Sequence, residues 1–448
     1  MTTTEEDLHD DVHPGRQRLS LLLALAITVP GIVLRLVESD IAHPLAALIY
    51  GLAIVGAAFL LSWAAEVAQL DISAGLAIAV LAFIAVLPEY AVDLVFAIKG
   101  GNSYEATGPA CLPQGGGAES PCSLALANMT GANRLLIGLG WTMIVFIAWY
   151  RFRQRGETEK SQAIVLERSH SVELSYLALA SIYSVFIPLR GSITLVDAAV
   201  LVGIFIAYTI RISRAPAEEP HLVGPARWIG GFSVANRRAT VIGLFIFAAA
   251  VILLTAERFA EELVASGEAL GVSEFLLVQW LAPLASEAPE LLVAGMYAWR
   301  LNTSAGLGTL VSSKVNQWTL LVGTLPIAFA IASASGHGLP IEGQQREEIF
   351  LTAAQSVFAL AVLSNLSMSV KEAWVVFGLF VTQFIIGAVG PESIHDETRI
   401  LTGVVYLVLA AALFVSNRRA IPTLLRDGFR TSYADMQMSD TDPEMPRH

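Results

Sequence analysis

Charged side chains are scarce in this sequence. Of its 448 residues only 15% are charged, whereas 55% are hydrophobic, and the mean hydropathy is +0.62. A soluble domain is about 25% charged, so the shortage argues against a chain built from soluble domains and indicates that the lipid bilayer surrounds most of it. The charges that are present give a net charge of −12. This acidic excess argues against nucleic acid as a partner.

Signatures of common enzyme sites are also missing. The sequence has no HExxH, no GxSxG and no cluster of His and Cys, and its 8 histidines lie in predicted tails and loops. Such motifs carry zinc ligands or a serine nucleophile in hydrolases. We therefore expect neither enzymatic activity nor a cofactor.

Cysteine is almost absent. The two cysteines, Cys111 and Cys122, both lie in the predicted loop CLPQGGGAESPC. An even pair in an oxidising compartment can form a disulfide. Two unrelated free thiols are the alternative, and the sequence leaves both possibilities open.

The N-terminus lacks the short basic start and small-residue cleavage site of a signal peptide. It reads MTTTEEDLHDDVHPGRQR and is acidic up to the first apolar run. We therefore expect 20–36 to be a retained membrane helix. The tails 1–18 and 420–448 are polar, and we expect both to be disordered.

Apolar runs long enough to cross a bilayer occupy most of the remaining chain. The sequence therefore predicts an all-α polytopic membrane protein with about 12 transmembrane helices. The third, eighth and ninth runs are longer than a membrane needs, which predicts a tilt or a break. The candidate spans are 20–36, 44–64, 72–98, 125–150, 174–189, 193–210, 239–256, 273–299, 304–333, 350–365, 371–389 and 399–415.

Basic residues in the connections predict the orientation of these spans. Lys and Arg concentrate in 151–170, in 211–238 and in the C-terminal tail, and such segments stay on the cytoplasmic side. With twelve spans, both termini are then cytoplasmic, and the acidic segments 37–40 and 257–262 are external connections. We expect the cell membrane as the location. The sequence leaves the oligomeric state open.

One motif occurs twice. Pro88-Glu89, within AVLPEYAVDLVFA, parallels Pro289-Glu290, and the span after each is similar: ANMTGANRLLIGLGWT (127–142) against GTLVSSKVNQWTLLVGT (308–324). Five spans separate the copies, so equivalent helices enter the membrane from opposite sides. The sequence thus predicts two inverted-topology repeats, whose interface near the midplane is where such transporters bind ions.

The Pro-Glu pair predicts what lies at this interface. A charged residue near the centre of a spanning helix costs about 2.5–3.5 kcal/mol on insertion scales, and proline interrupts the helical hydrogen bonds. We expect the proline to break the helix, so that the freed carbonyls and the carboxylate face a hydrated cavity. Glu89 and Glu290 would then bind a cation, because hard cations prefer oxygen ligands.

Further oxygen ligands are predicted on the same helices. Glu287 shares a face with Glu290, and Asp93 shares one with Glu89. Glu287 could instead line a vestibule, and Asp93 could sit near the outer mouth or pair with a basic residue. The next helices offer neutral oxygens at four-residue spacing, although such residues also serve ordinary helix packing. These residues are Asn128, Thr309, Ser313 and Gln317.

Two basic residues complicate this site. Arg134 points away from the polar stripe of its helix, so a structural or snorkelling role is expected. Lys314 lies closer to the stripe. It could pair with a glutamate or stand in for a bound cation, and the sequence does not decide between these roles.

The paired Pro-Glu helices, each followed by a Gly/Asn/Ser-rich helix, resemble the two alpha repeats of the calcium/cation antiporter superfamily, which includes the sodium/calcium exchangers. The resemblance covers about 85–150 and 280–333. It implies ten helices in two inverted halves of five, with one extra helix at each end. It also implies that Glu89 and Glu290 bind calcium and sodium alternately. The implied divisions are 1–18 tail, 19–43 extra helix, 44–211 first repeat, 212–238 cytoplasmic linker, 239–389 second repeat, 390–417 extra helix and 418–448 tail.

The sequence also departs from the family pattern. The first repeat has Ala132 and Leu136 where oxygen ligands are usual, and the second has Lys314 and Gln317. Several sodium ligands are therefore missing. The resemblance favours sodium/calcium antiport, and the departures favour a proton-coupled cation antiporter as the alternative. A cation channel and a non-transporting scaffold are less favoured alternatives.

Overall fold

Helices make up nearly all of the described structure. This structure is a computed structural model, and it describes residues 14–37, 41–71, 87–113, 119–157, 159–215, 222, 224–390 and 395–441. Its α-helices are α1 Pro14–Val37, α2 His43–Ala68, α3 Leu87–Thr107, α4 Pro121–Leu135, α5 Thr142–Gln154, α6 Ser171–Ser184, α7 Leu195–Ile212, α8 Pro225–Gly230, α9 Val234–Leu270, α10 Glu274–Trp299, α11 Thr303–Asn316, α12 Val322–Ala332, α13 Gly343–Val362, α14 Val370–Val389, α15 His395–Ser416, α16 Ile421–Phe429 and α17 Tyr433–Thr441.

Ten helical spans of the described chain are long and apolar enough to cross a membrane. They confirm a polytopic all-α membrane protein. The other two predicted spans hold the Pro-Glu motifs. Of the third, residues 72–86 lie outside the described part, and the eighth is α10, which is not among the ten. The total of about 12 spans therefore stays a prediction.

Two predictions about the ends of spans are wrong. The acidic segment 257–262 is not a connection, because it lies inside α9, a continuous helix of 37 residues. The C-terminal tail is not disordered throughout, because 421–429 and 433–441 are helical. In the tail, apolar residues such as Leu424 and Met436 are buried against the bundle, and this packing outweighs the polar composition of the segment.

The expected break at the motif proline is also wrong for the second repeat. Helix α10 continues through both Pro283 and Pro289. Each proline removes a single N–H donor. Only the carbonyl four residues before it loses a helical hydrogen bond, and the helix continues. The carbonyl that Pro283 leaves without its helical donor is that of Gln279, and Gly131 of α4 packs directly on it.

The irregular backbone lies instead on the partner helices. A π-helical turn spans Leu136–Trp141 between α4 and α5, and another spans Gln317–Leu321 between α11 and α12. Such single turns often occur at functional sites. They begin at equivalent positions of the two repeats, so the repeat relation extends to a local backbone feature.

Each Pro-Glu helix packs on the partner helices of both repeats. Helix α3 contacts α4 and α12, and α10 contacts α11 and α4. At the ends, short antiparallel ladders also join the halves: β1 Ala163–Val165 pairs with β4 Ser367–Ser369, and β2 Ser192–Ile193 pairs with β3 Leu339–Pro340. The two inverted repeats therefore form one interlocked core.

A second large cluster of buried apolar side chains joins α1, α2, α8 and α9. Small residues allow close helix contacts here: Gly31 on α1 packs against Ala53 of α2, and Gly56 on α2 packs against the Ala24 carbonyl. At the end of α2, Asp71 accepts hydrogen bonds from Arg237 and Arg238 of α9. Hydrogen bonding from Arg237, more than any other cause, lowers the pKa of Asp71 below its usual range.

The two cysteines are paired. A disulfide joins Cys111 to Cys122, and both sulfurs lie near the Gly100 carbonyl of α3. It thereby connects the segment after α3 to the start of α4. This decides between the bridge and the free thiols that the sequence left open.

Candidate ion-binding site

Four carboxylates from the predicted site lie inside the core. Glu89 and Asp93 come from α3, and Glu287 and Glu290 come from α10. Glu89, Asp93 and Glu287 are each at most 1% exposed, whereas Glu290 is half-buried. The Glu89 carboxylate interacts electrostatically with the other three. The inverted arrangement thus brings together acidic groups from both repeats, at a depth where like charges repel strongly.

Gln317 connects the two repeats within this cluster. Its amide Nε2 donates to Glu89 Oε1 at 3.2 Å and to Glu287 Oε1 at 2.8 Å. Gln317 begins the π-helical turn after α11, which directs it towards both Pro-Glu helices. One neutral amide therefore lies between two carboxylates of opposite repeats.

Glu290 is bound by a different neutral group. The Ser313 hydroxyl donates to Glu290 Oε2 at 2.5 Å. Ser313 precedes Gln317 by four residues, so both face the same side of the helix. The predicted stripe of neutral ligands on the second partner helix is present at these two positions.

Asp93 and Asn128 form the corresponding pair in the first repeat. Asn128 Nδ2 donates to Asp93 Oδ1 at 2.6 Å, and both residues are buried. Asp93 lies one turn beyond Glu89 on α3. The pair therefore extends the polar cluster along α3.

Oxygen atoms of the cluster have unused capacity to accept hydrogen bonds. Each is buried and accepts no hydrogen bond from the described residues, a situation that costs about 1–3 kcal/mol per group if nothing else binds. Such oxygens can bind cations or, on carboxylates, protons. They are Glu89 Oε2, Asp93 Oδ2, Asn128 Oδ1, Glu287 Oε2, Glu290 Oε1 and Gln317 Oε1.

Thr309 does not join this cluster. Its side chain is exposed, and its hydroxyl donates to the Ala305 carbonyl of its own helix. Over the eight residues to Gln317 an α-helix turns about 80° beyond two full turns, so four-residue spacing drifts off one face. Among the described residues, no three His, Cys, Asp or Glu side chains are arranged as a ready-made metal site. A bound ion would therefore need the neutral oxygens as well.

The two basic residues have distinct partners. Arg134 forms a buried salt bridge with Glu348 on α13 at 2.6 Å and lies over the Trp280 ring, which is the structural role expected from its position. Within the described part of the chain, Lys314 donates to Asn133 and not to a glutamate. The sequence reasoning missed Asn133, although it stands at the repeat position equivalent to Lys314.

Comparison with known proteins places this arrangement in a family. The family model for "Sodium/calcium exchanger protein" matches residues 43–213 and 240–389, which is more than half of the chain. The chain belongs to this family. One Pro-Glu motif lies in each matched region. The protein is therefore a secondary cation antiporter of the exchanger type, as the sequence predicts.

Solved structures agree with the fold. The chain is 38% identical to an H+/Ca2+ exchanger, CAX, with a TM-score of 0.82, over 92% of this chain and 98% of that chain. It is 13% identical to the Ca2+/H+ antiporter protein YfkE, with a TM-score of 0.58, over 88% of this chain and 100% of that chain. The second likeness shows the fold alone. No curated protein sequence matches the chain.

Proposed function

We propose that the protein exchanges calcium for protons at the cluster of Glu89, Glu287, Glu290 and Gln317. The observation that carries this proposal is the position of the Gln317 amide, a single neutral donor between buried carboxylates of both repeats. Uncompensated negative charge in a low-dielectric interior is costly. The cluster therefore favours a state in which a divalent cation or protons supply positive charge.

Calcium and protons would compete for the same oxygens. A calcium ion requires ionised carboxylates and additional neutral oxygens, which Ser313, Asn128 and the Gln317 carbonyl oxygen supply. A protonated carboxyl group becomes a donor and loses part of its ligand capacity. Binding of one species thus excludes the other, and such exclusion couples their movements in opposite directions.

Protons suit this site better than sodium as the coupling ion. The first repeat has Ala132 and Leu136 at the positions of Ser313 and Gln317, so half of the neutral ligands for a second cation are lacking. The identity of 38% to an H+/Ca2+ exchanger supports the same choice. Sodium is the second candidate, because the family model that matches this chain describes sodium/calcium exchangers.

The remaining features of the proposed activity follow from the sequence. We propose a location in the cell membrane with both termini in the cytoplasm, based on the basic connections. The cations are substrates, and the activity requires neither a cofactor nor enzymatic chemistry. Alternating access would expose the cluster to one side of the membrane at a time.

Flux measurements in proteoliposomes test this function. Calcium uptake and internal pH are followed together, first with an outward proton gradient and then with an outward sodium gradient. We expect uptake with the proton gradient, accompanied by internal alkalinisation. Glu89→Gln and Glu290→Gln should abolish both signals. Glu105→Gln, on the exposed surface of α3, should leave them unchanged.

The other outcomes are equally informative. Uptake under the sodium gradient alone would reject protons and support the second candidate. Calcium uptake that survives in both Glu89→Gln and Glu290→Gln would show that the transport site is not this cluster. No calcium flux under either gradient would reject calcium as the substrate.

A further inference from the structure

Lys314 is a fully buried lysine within the polar core. It lies on α11, is 0% exposed, and is among the largest fully buried side chains of the described chain. It follows Ser313, whose hydroxyl binds Glu290, and precedes Gln317 by three residues. A buried ammonium group is costly unless its donors are satisfied.

The lysine is held by oxygen atoms and an aromatic ring. Its Nζ donates to Asn133 Oδ1 at 2.6 Å and to the Asn133 carbonyl at 3.1 Å. It also lies 4.5 Å from the centre of the Trp318 ring, a cation–π distance. This environment of carbonyl oxygens and a ring face suits a monovalent cation.

Lys314 and Asn133 occupy equivalent positions of the two repeats. They are 181 residues apart, and the same offset relates Leu136 to Gln317, where the two π-helical turns begin. The hydrogen bonds therefore join the repeats at their own symmetry position. At that point the first repeat contributes only oxygens and the second contributes only the cation.

The positive charge also acts on the carboxylate cluster. Lys314 interacts electrostatically with Glu287, which is connected to Glu89 through Gln317. A lysine cannot leave with a transported ion. In its protonated form it supplies one positive charge beside the cluster while calcium or protons come and go.

We propose that Lys314 is a tethered monovalent cation that excludes free sodium from the junction of the repeats. The ammonium group occupies the space between Asn133 and Trp318, and its charge repels a second cation. The proposal makes Lys314 a specificity-determining residue, and it rests on the proposed calcium transport. Without the lysine, the oxygens of Asn133 and of the carboxylate cluster would accept sodium.

Direct sodium binding tests this proposal without relying on transport. Binding of radioactive sodium to purified protein is compared for the wild type, Lys314→Asn and Lys314→Arg. Lys314→Asn gives both repeats the same amide at this position, whereas Lys314→Arg keeps the charge. We expect saturable sodium binding in Lys314→Asn, with an apparent affinity at least about tenfold above that of the wild type and of Lys314→Arg.

A second measurement uses calcium uptake into proteoliposomes with and without sodium on the uptake side. Sodium should inhibit calcium uptake by Lys314→Asn competitively. The calcium concentration that gives half-maximal uptake should rise, with little change in the maximal rate. Uptake by the wild type and by Lys314→Arg should be insensitive to sodium. A residue with a purely structural role would lower the activity of Lys314→Asn without creating this sodium dependence.

Two results would overturn the proposal. One is a monodisperse, calcium-binding Lys314→Asn protein that binds no sodium. The other is sodium binding of equal strength in the wild type. Lys314→Ser replaces Lys314→Asn if the latter is not recovered as monodisperse protein. The sodium-binding assay does not depend on proton coupling. If the proposed calcium/proton exchange fails, the sodium-binding result still tests the role of Lys314.

Discussion

Gln317, from the second repeat, donates a 3.2 Å hydrogen bond to Glu89, from the first repeat. The same nitrogen donates to Glu287. This side chain thus connects the two inverted halves at their acidic centre, where the family resemblance implies an acidic residue or asparagine. The consequences of this contact can be tested.

Replacement of Gln317 by leucine should weaken calcium binding and destabilise the protein. Both carboxylates would lose a buried donor, at about 1–3 kcal/mol for each unsatisfied group. The melting temperature in detergent and the calcium affinity should both fall. Gln317→Asn keeps the amide on a shorter side chain, and its melting temperature and calcium affinity should lie between those of the wild type and Gln317→Leu. Unchanged calcium affinity in Gln317→Leu would mean that the amide has no role at the site.

Gly131 should not tolerate a methyl group. A Cβ atom there would overlap the Gln279 carbonyl of α10, and overpacking of this kind costs about 1–3 kcal/mol. Gly131→Ala should therefore lower the melting temperature. The matched control is Gly378→Ala on α14, where nothing lies within 4 Å of the added carbon. Alanine favours a helix over glycine, so the control should melt at the same temperature or higher. Equal behaviour of the two variants would contradict the close contact.

The C-terminal helices should depend on Asp427. This residue is 1% exposed, and its carboxylate accepts hydrogen bonds from Arg168 at 2.5 and 3.0 Å. Hydrogen bonds to charged groups contribute about 1.5–3 kcal/mol each. Asp427→Ala should therefore release α16 and α17 and speed limited proteolysis after Ser416. Arg430→Ala, at an exposed position of the same segment, should be cleaved at the wild-type rate. Equal protection of Asp427→Ala would show that the salt bridge does not hold the segment.

Stability should depend on pH through Asp71. Because Arg237 lowers its pKa in the folded protein, Asp71 contributes stability above its ordinary pKa, about 4. That contribution is lost as pH falls through the lower folded-state value. Asp71→Asn should melt below the wild type at neutral pH, and the difference should shrink in acid. A difference that is constant down to strongly acidic pH would contradict the assignment.

The sequence predicted the repeat relation because the same residue pair, Pro-Glu, occurs at equivalent positions of two spans. Pro88-Glu89 and Pro289-Glu290 stand out in apolar surroundings, and buried charges in a bilayer have few explanations other than function. The approximate positions of the spanning helices then followed from hydropathy. The polytopic fold, the family and the antiport class were predictable on this basis.

Other features could not be read from the pattern. Continuity of α10 through Pro283 and Pro289 depends on the helices packed around it, such as α4 with Gly131 on the Gln279 carbonyl, which only the packed structure shows. Loss of Thr309 from the site follows from the drift of a 3.6-residue helix. The pairing of Lys314 with Asn133 depends on how the two repeats cross. The burial of Leu424 depends on a surface formed by distant helices.

Calcium binding to the purified protein tests the central claim most directly. Equilibrium binding of radioactive calcium is measured for the wild type, Glu89→Gln, Glu290→Gln and the control Glu105→Gln, each checked for monodispersity. A site shared by both repeats predicts that each of the first two substitutions weakens binding by at least about tenfold, while the control binds like the wild type. Wild-type calcium affinity in both Glu89→Gln and Glu290→Gln would contradict the account.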